Sequence, residues 1–403
     1  MHRTSRQGPL GHIRVLDLSR IMAGPWATQI LADLGADVIK VERPGAGDDT
    51  RAWGPPFLKD AEGKPTREAG YYLAVNRGKR SITLDITSAE GQDVLRRLAA
   101  SSDILIENYK VGTLARYKLD YKSLRVVNPR LIYASITGFG QTGPKKAAAA
   151  YDFAIQAMGG LMSVTGERDG LPGGGPQKVG VPIVDMMTGM YAVAGVLAAL
   201  ARRAETGQGD YIDVAMLDVQ AAFLANQAMN WLLSGKPPAR GGNRHPNIQP
   251  QDVFACADGY LVLAVGNDGQ FAKLAETLGH SEWSRDERFV TNPARVRNHK
   301  ELDPLLRAEF ARRARNELID RLESVGVPCA PINSIPEVFA DPQLQHRRML
   351  RELSHPVAGR VPQVVSPLNF ANEPLAFDAP PPLLGEHTDD ILRELGLGPS
   401  GGV

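Results

Sequence analysis

Asp185 stands in the segment Lys178-Val-Gly-Val-Pro-Ile-Val-Asp-Met-Met-Thr-Gly-Met-Tyr191, a lone acid at the mouth of an apolar run from Met186 to Ala201. Pro182 lies three residues before it, and proline is favoured only at or before the first turn of a helix. Asp185 is therefore expected in the first turn of a buried helix. Free N–H groups and the positive end of the dipole would favour its ionised form there. An ionised carboxylate held in an apolar wall can attack an acyl group. The alternative use of an acid at such a place is a plain N-cap.

Two further clusters could bind a ligand. Val41-Glu-Arg-Pro-Gly-Ala-Gly-Asp-Asp-Thr-Arg-Ala-Trp53 is a polar, glycine-bearing loop after a predicted strand, at the edge where open α/β sheets take their ligands. Arg43 and Arg51 could hold phosphate there. Asn76-Arg-Gly-Lys-Arg80 is a basic turn at a second edge. Together with Arg43, Arg116 and Lys145-Lys146 it could rim a multiply phosphorylated ligand. Other chemistries lack their residues. The loop Ser19-Arg-Ile-Met-Ala-Gly-Pro25 has one glycine where a dinucleotide fingerprint needs three. No Walker loop, Gly-x-Ser-x-Gly elbow or His-Glu-x-x-His run is present. The histidines are scattered and the two cysteines lie far apart, so no metal is expected.

Those residues must be carried by an alternation of strands and helices. Ile13–Leu18, Val38–Glu42, Ser81–Ile86, Ile104–Glu107, Leu131–Ile136 and Tyr211–Met216 read as strands. Helices are expected over Pro25–Leu34, Ala89–Ala100, Val111–Tyr117 and Asp185–Arg203. Alternation of this kind implies an α/β fold, an open and mostly parallel Rossmann-like sheet with helices on both faces. Leu217–Leu233 reads as one long helix leading out of it. Ser234–Pro250 is rich in Gly, Pro, Arg and Asn and reads as a loop. A hairpin over Asp252–Cys256 and Tyr260–Val265, helices at Gly269–Leu278 and Glu301–Glu323, and a strand at Val327–Pro331 make a smaller α+β domain. The tail is Pro-rich and reads as irregular up to a short helix at Thr388–Leu395. The expected divisions are 1–220 for the large domain with Asp185, 221–335 for linker helix, loop and small domain, and 336–403 for a tail that returns to the large domain.

At 403 residues the chain suits roughly two to three domains. Its 43% apolar and 23% charged content is ordinary for a globular protein. A net charge of +1 gives no field to draw nucleic acid or anionic lipid. Two cysteines suit a reducing cytosol, and Met1–Gln7 shows no apolar signal region. Met186–Ala201 is too short for a span of ~20 residues and reads as a core helix. Its Gly189, Ala192, Ala194 and Gly195 would let another element approach closely. A cytoplasmic protein without membrane or nucleic-acid partners is expected.

The chain resembles the class III CoA-transferases. The likeness rests on Leu16-Asp-Leu-Ser-Arg-Ile-Met-Ala-Gly-Pro25, Leu34-Gly-Ala-Asp-Val-Ile-Lys-Val-Glu-Arg-Pro44, Asn76-Arg-Gly-Lys-Arg-Ser81 and Ile136-Thr-Gly-Phe-Gly-Gln-Thr-Gly-Pro144. It continues through Tyr151-Asp, Val181-Pro-Ile-Val-Asp185, Thr206-Gly-Gln-Gly209 and Leu383-Leu-Gly-Glu-His-Thr388, so it covers nearly the whole chain. Glu42–Phe57 and Pro380–Thr388 resemble the branch that acts on succinyl-CoA and glutarate. The resemblance implies that Asp185 is the nucleophile and forms an anhydride and then a CoA thioester with the substrate's groups. It implies CoA contacts at Ile21, Met22, Ala23, Arg43, Leu84, Asn108, Thr113, Arg116 and Tyr117. Trp53, Tyr71 and Tyr151 match aromatic positions around the acyl group. Coenzyme A thioesters enter as substrates, with no permanently bound cofactor, and the family's interlocked homodimer is implied.

Two departures bear on the substrate. Met22 stands where some members carry glutamine, and Gly241-Gly-Asn-Arg-His-Pro-Asn-Ile-Gln249, which the resemblance implies is the family's mobile loop, lacks the glycine run of formyl-CoA transferases. A dicarboxylic acceptor needs a cation for its distal carboxylate, and Arg244, His245 and Arg51 are the candidates. The α-methylacyl-CoA racemases share this fold but pair the acid with a histidine. That position is Tyr151 here, and a tyrosine with its pKa near ~10 is a poor base at neutral pH. A non-catalytic CoA-binding protein would need no acid at 185.

Overall fold

The computed structural model of the protein describes residues 7–398; all but the last residue of the stretch read for a signal, Met1–Gln7, lies outside them. Short apolar strands dominate the first half. They are β1 (Arg14–Asp17), β2 (Asp37–Glu42), β3 (Arg80–Thr83), β4 (Ile104–Glu107), β5 (Ile132–Thr137) and β6 (Tyr211–Ala215). All pair in parallel, in the order β3-β2-β1-β4-β5-β6. Such strands are covered on both faces, which is why they read as continuous apolar runs. Alternate residues divide between the faces. Val15, Val38 and Ile104 point to one core, and Leu16, Ile39 and Leu105 to the other.

On the first face lie α1 (Ala23–Asp33) and the long α4 (Ile183–Thr206), and on the second α2 (Ala89–Ala100). Ala27 and Leu31 of α1 share a core with Ala192 and Val196 of α4. A Cβ on Gly189 would come within 2.7 Å of the Ala23 carbonyl oxygen, so the glycine sets how closely these helices approach. Gly24 is needed for a similar reason, because a Cβ there would sit 2.2 Å from that of Ser19. With 24 residues and a mean hydropathy of 1.7, α4 is long and apolar enough to cross a membrane by composition. Its buried stripe from Val184 to Ala199 packs on α1 and the sheet, while Met190, Tyr191 and Leu197 on the same helix are exposed.

The described residues form two compact units, one within 7–160, 179–225 and 342–398, the other of 161–178 and 226–341. The second has a three-stranded antiparallel sheet of Gln251–Cys256, Gly259–Ala264 and Cys329–Pro331. Phe254, Leu261, Phe271 and Phe310 fill its core.

Local expectations differ at four places. The helix expected over Glu301–Glu323 is two, His299–Ala311 and Arg315–Ser324. The helix expected over Val111–Tyr117 is only a single 3-10 turn, Leu114–Tyr117, preceded by Gly112 at φ 82. Leu217–Leu233 is two helices, Met216–Ala222 and Ala225–Ser234. They break at Ala225 in a left-handed backbone, φ 43, where the chain passes from one unit to the other. The tail is less irregular than expected. Leu350–His355 and Gly359–Val364 form an antiparallel hairpin whose Leu353 and Val361 pack on Tyr72 and Leu73.

Candidate active site

Strands β1 and β4 are neighbours whose connections lead to opposite sides of the sheet. Ligands bind at the carboxyl ends of such a pair. The loop Ser19–Met22 follows β1, and Asn108 follows β4. Asn108 grips the loop, its Oδ1 accepting the Arg20 N–H at 2.9 Å and its Nδ2 donating to the Arg20 carbonyl at 2.7 Å. A cavity of about 180 Å3 opens beside them, lined among others by Ile21, Met22, Ala23, Asn108, Tyr151 and Asp185. The structure thus gathers these six residues singled out from sequence, and Lys146 of the expected basic rim is a seventh in the lining.

Asp185 enters this cavity from the first turn of α4, as Pro182 at the helix N-cap requires. An earlier helix, α3 (Asp152–Met158), brings a second acid. Asp152 Oδ2 accepts the N–H of Val184 at 2.8 Å and of Asp185 at 3.1 Å. Its Oδ1 accepts from Gln156 Nε2 at 2.5 Å, and Gln156 Oε1 accepts the Val179 N–H at 2.9 Å. Burial pushes the Asp185 carboxyl up, and the charge of Asp152 adds to the push, to about 7. The expectation of an acid kept ionised by free helix N–H groups is therefore corrected. Asp152 has taken two of those donors and added a like charge. A carboxylate so poorly solvated is a stronger base and nucleophile than one in water.

Trp53 and Tyr71 form an edge-to-face pair, ring centroids 5.2 Å apart. Burial, then the charges of Asp185 and Asp152, push the Tyr71 hydroxyl up, so it stays a neutral donor. Tyr151 is 62% exposed. Arg43 lies exposed just past β2, and Arg116 is exposed on its 3-10 turn. Thr113 and Tyr117 are half-buried in the same segment. Leu84 is buried, its N–H donated to the Glu42 carbonyl at 2.9 Å. Of these residues only Tyr151 lines the cavity.

Arg51 is corrected as a cation for a substrate. It is 5% exposed. Its guanidinium binds Glu42 through two nitrogens, Glu68 at 2.7 Å and the Tyr72 hydroxyl at 2.6 Å. Those donors tie the loop that carries Arg51 to Glu42 at the end of β2 and to Glu68 and Tyr72, and the same guanidinium donates to the Pro382 carbonyl at 3.1 Å. Arg244 and His245 belong to the second unit. His245 Nδ1 accepts the N–H groups of Asn247 and Ile248, both at 3.1 Å, and burial pushes its pKa down, so it is neutral near pH 7. Arg244 Nε is buried without a hydrogen-bond partner among the described residues.

Sequence reasoning missed Asp152 and Gln156 as supports of Asp185. Their spacing of four on one helix was the available signal. A larger cavity, about 740 Å3, lies elsewhere in the first unit between Trp26, Phe57, Met190 and Val361. Its walls are mainly apolar, and its charged members Asp33 and Arg77 are paired at 2.7 Å.

The model of CoA-transferase family III matches residues 10–388. A succinate–glutarate CoA-transferase from Agrobacterium fabrum is 51% identical over 391 residues, 97% of this chain and 96% of that one. A succinyl-CoA:glutarate CoA-transferase from Mus musculus is 42% identical, covering 96% of this chain and 86% of its own. A crystal structure of a CAIB/BAIF family protein from Brucella suis superposes with a TM-score of 0.84 at 50% identity, over 97% of this chain and 100% of that one.

Proposed function

The chain belongs to CoA-transferase family III, and on that premise we propose that it moves CoA from succinyl-CoA to a small dicarboxylic acid through covalent intermediates on Asp185. The observation that carries this reading is the placement of Asp185 in one cavity with the Ile21–Ala23 loop and Asn108. The Asp185 carboxylate attacks the thioester carbonyl and expels CoA thiolate, leaving a mixed anhydride. The thiolate then attacks the aspartyl carbonyl. That releases succinate and leaves an aspartyl-CoA thioester. The acceptor carboxylate attacks this thioester, giving a new anhydride and free thiolate. Attack of the thiolate on the acceptor's carbonyl yields the product thioester and restores Asp185. Each step exchanges one acyl bond for another, so no water or metal is consumed. Holding the carboxylate beside the thioester replaces a bimolecular encounter by an intramolecular one.

Glutarate is the acceptor favoured by the relatives' names. Acids of about four to six carbons fit the same reading, while formate, oxalate and carnitine would be poor acceptors. Arg244 is the cation proposed for the distal carboxylate, since His245 is neutral. Arg43, Leu84, Thr113, Arg116 and Tyr117 are proposed to contact CoA with the cavity residues. The enzyme would act as a cytoplasmic homodimer, without a permanent cofactor.

Incubation with succinyl-CoA and no acceptor, followed by hydroxylamine, should convert Asp185 to its hydroxamate, detectable by peptide mass spectrometry. An adduct at another residue, or none, would overturn the covalent route.

A further inference from the structure

The loop that lines the cavity contains a backbone anomaly. Ile21 has φ 74, a left-handed conformation that β-branched residues adopt only when their surroundings enforce it. Three buried or half-buried side chains do so here. Asn108 holds both backbone groups of Arg20. Lys40 donates to the Ser19 carbonyl at 2.9 Å. Asp48 accepts the N–H of Ile21 itself, its two oxygens at 3.2 and 3.3 Å.

Lys40 and Asp48 are joined at 2.9 Å with both side chains 0% exposed. Burial opposes the charge on each. For Lys40 the charges of Asp48, Asp17 and Glu42 win and push it up; for Asp48 the charge of Lys40 wins and pushes it down. The pair is anchored further, because the Asp48 N–H binds Glu42 Oε2 at 2.9 Å and Glu42 is held by Arg51. A neutral loop turn could have been built with glycine at position 21. Instead a buried ion pair sits beneath a strained isoleucine. With the Ile21 N–H turned inward to Asp48, the next two N–H groups, of Met22 and Ala23, have no hydrogen-bond partner among the described residues.

We propose that Asp48, braced by Lys40, is a positioning residue for CoA transfer: it locks Ile21 in the left-handed conformation and thereby presents the N–H groups of Met22 and Ala23 to the acyl-CoA beside Asp185. Pre-set donors of this kind act on a developing negative charge without reorganising. The proposal rests on the reading that this cavity takes the thioester.

The test is a double-mutant cycle of Asp48→Ala, Ile21→Gly and both together. Glycine enters the left-handed region freely, so a loop with Gly at 21 no longer needs Asp48 to hold it. Asp48→Ala should lower kcat/KM for succinyl-CoA at least tenfold and raise its KM more than that of the acceptor acid. Adding Ile21→Gly should recover several-fold of that loss. A merely structural Asp48 would also cap the turn Asp49–Ala52 through Thr50, but a lost cap is not repaired by glycine at 21. A double variant no more active than Asp48→Ala, or an unchanged Asp48→Ala enzyme, overturns the proposal. If Asp48→Ala does not fold, Asp48→Asn takes its place in the same cycle, where it unbalances Lys40 while keeping the shape. Failure of the underlying reading shows separately, as turnover retained in Asp185→Asn.

Discussion

The Asp152 carboxylate accepts the backbone N–H of Asp185 at 3.1 Å, so one acid caps the helix that carries the other. This contact aims Asp185 and also raises its affinity for a proton. Asp152→Asn keeps an oxygen for the cap but removes the charge. Among the groups facing Asp185, burial remains and the neutral Tyr71 hydroxyl remains. The acidic limb of kcat/KM, expected near pH 7 in the wild type, should move down by about 1 pH unit. An unmoved limb would mean that Asp152 acts on geometry alone.

Asp185→Asn should cost at least about a thousandfold in transfer while the protein stays folded. It should also stabilise the fold at alkaline pH. Unfolded, the carboxyl titrates near its ordinary 3.8, and folded it titrates near 7, so the folded chain keeps its proton longer. Stability is then lost as pH rises between those values. The amide escapes that loss, by on the order of 1–4 kcal/mol. The lower end is expected because Asp185 is partly exposed. Melting temperatures of both proteins at pH 8 and pH 5 check this, with the larger gain at pH 8.

Gly189→Val should destabilise the protein by about 1–3 kcal/mol, the cost of overpacking. The added atoms meet the Ala23 carbonyl and the Trp26 ring, at 2.7 and 3.0 Å from the new Cβ. Because Ala23 lines the cavity, kcat/KM should fall with stability. Thermal melts and initial rates on one preparation suffice, and a Gly189→Val protein as stable as wild type would show that the helices can part freely.

Arg43→Ala should raise the KM for succinyl-CoA about tenfold or more and leave that for the acceptor nearly unchanged, since a charge-assisted contact is worth ~1.5–3 kcal/mol. Equal changes in both constants would place Arg43 outside CoA binding.

Arg244→Ala should weaken glutarate as an acceptor relative to a monocarboxylate of equal length, by about tenfold in kcat/KM. Only the dicarboxylate loses a charge partner. Competition assays between the two acids read the ratio directly, and an unchanged ratio assigns the distal carboxylate to another residue.

Much of this protein was legible in its residue order. Short continuous apolar runs announced the strands of the parallel sheet, because a strand buried on both faces needs them. Pro182 announced where α4 begins, and hence that Asp185 would sit in its first turn. The small residues of α4 announced a close neighbour, and Gly189 against Ala23 is that contact. Such features are local, set by sterics within a few residues. Tertiary structure decided what depends on residues far apart in the chain. Arg51 looked like a free cation beside Trp53, yet Glu42 and Glu68 claim it. Asp185 looked ionised until Asp152, 33 residues before it, took its helix donors. Burial and pairing set a charge's free energy, and both depend on which distant segments fold against it.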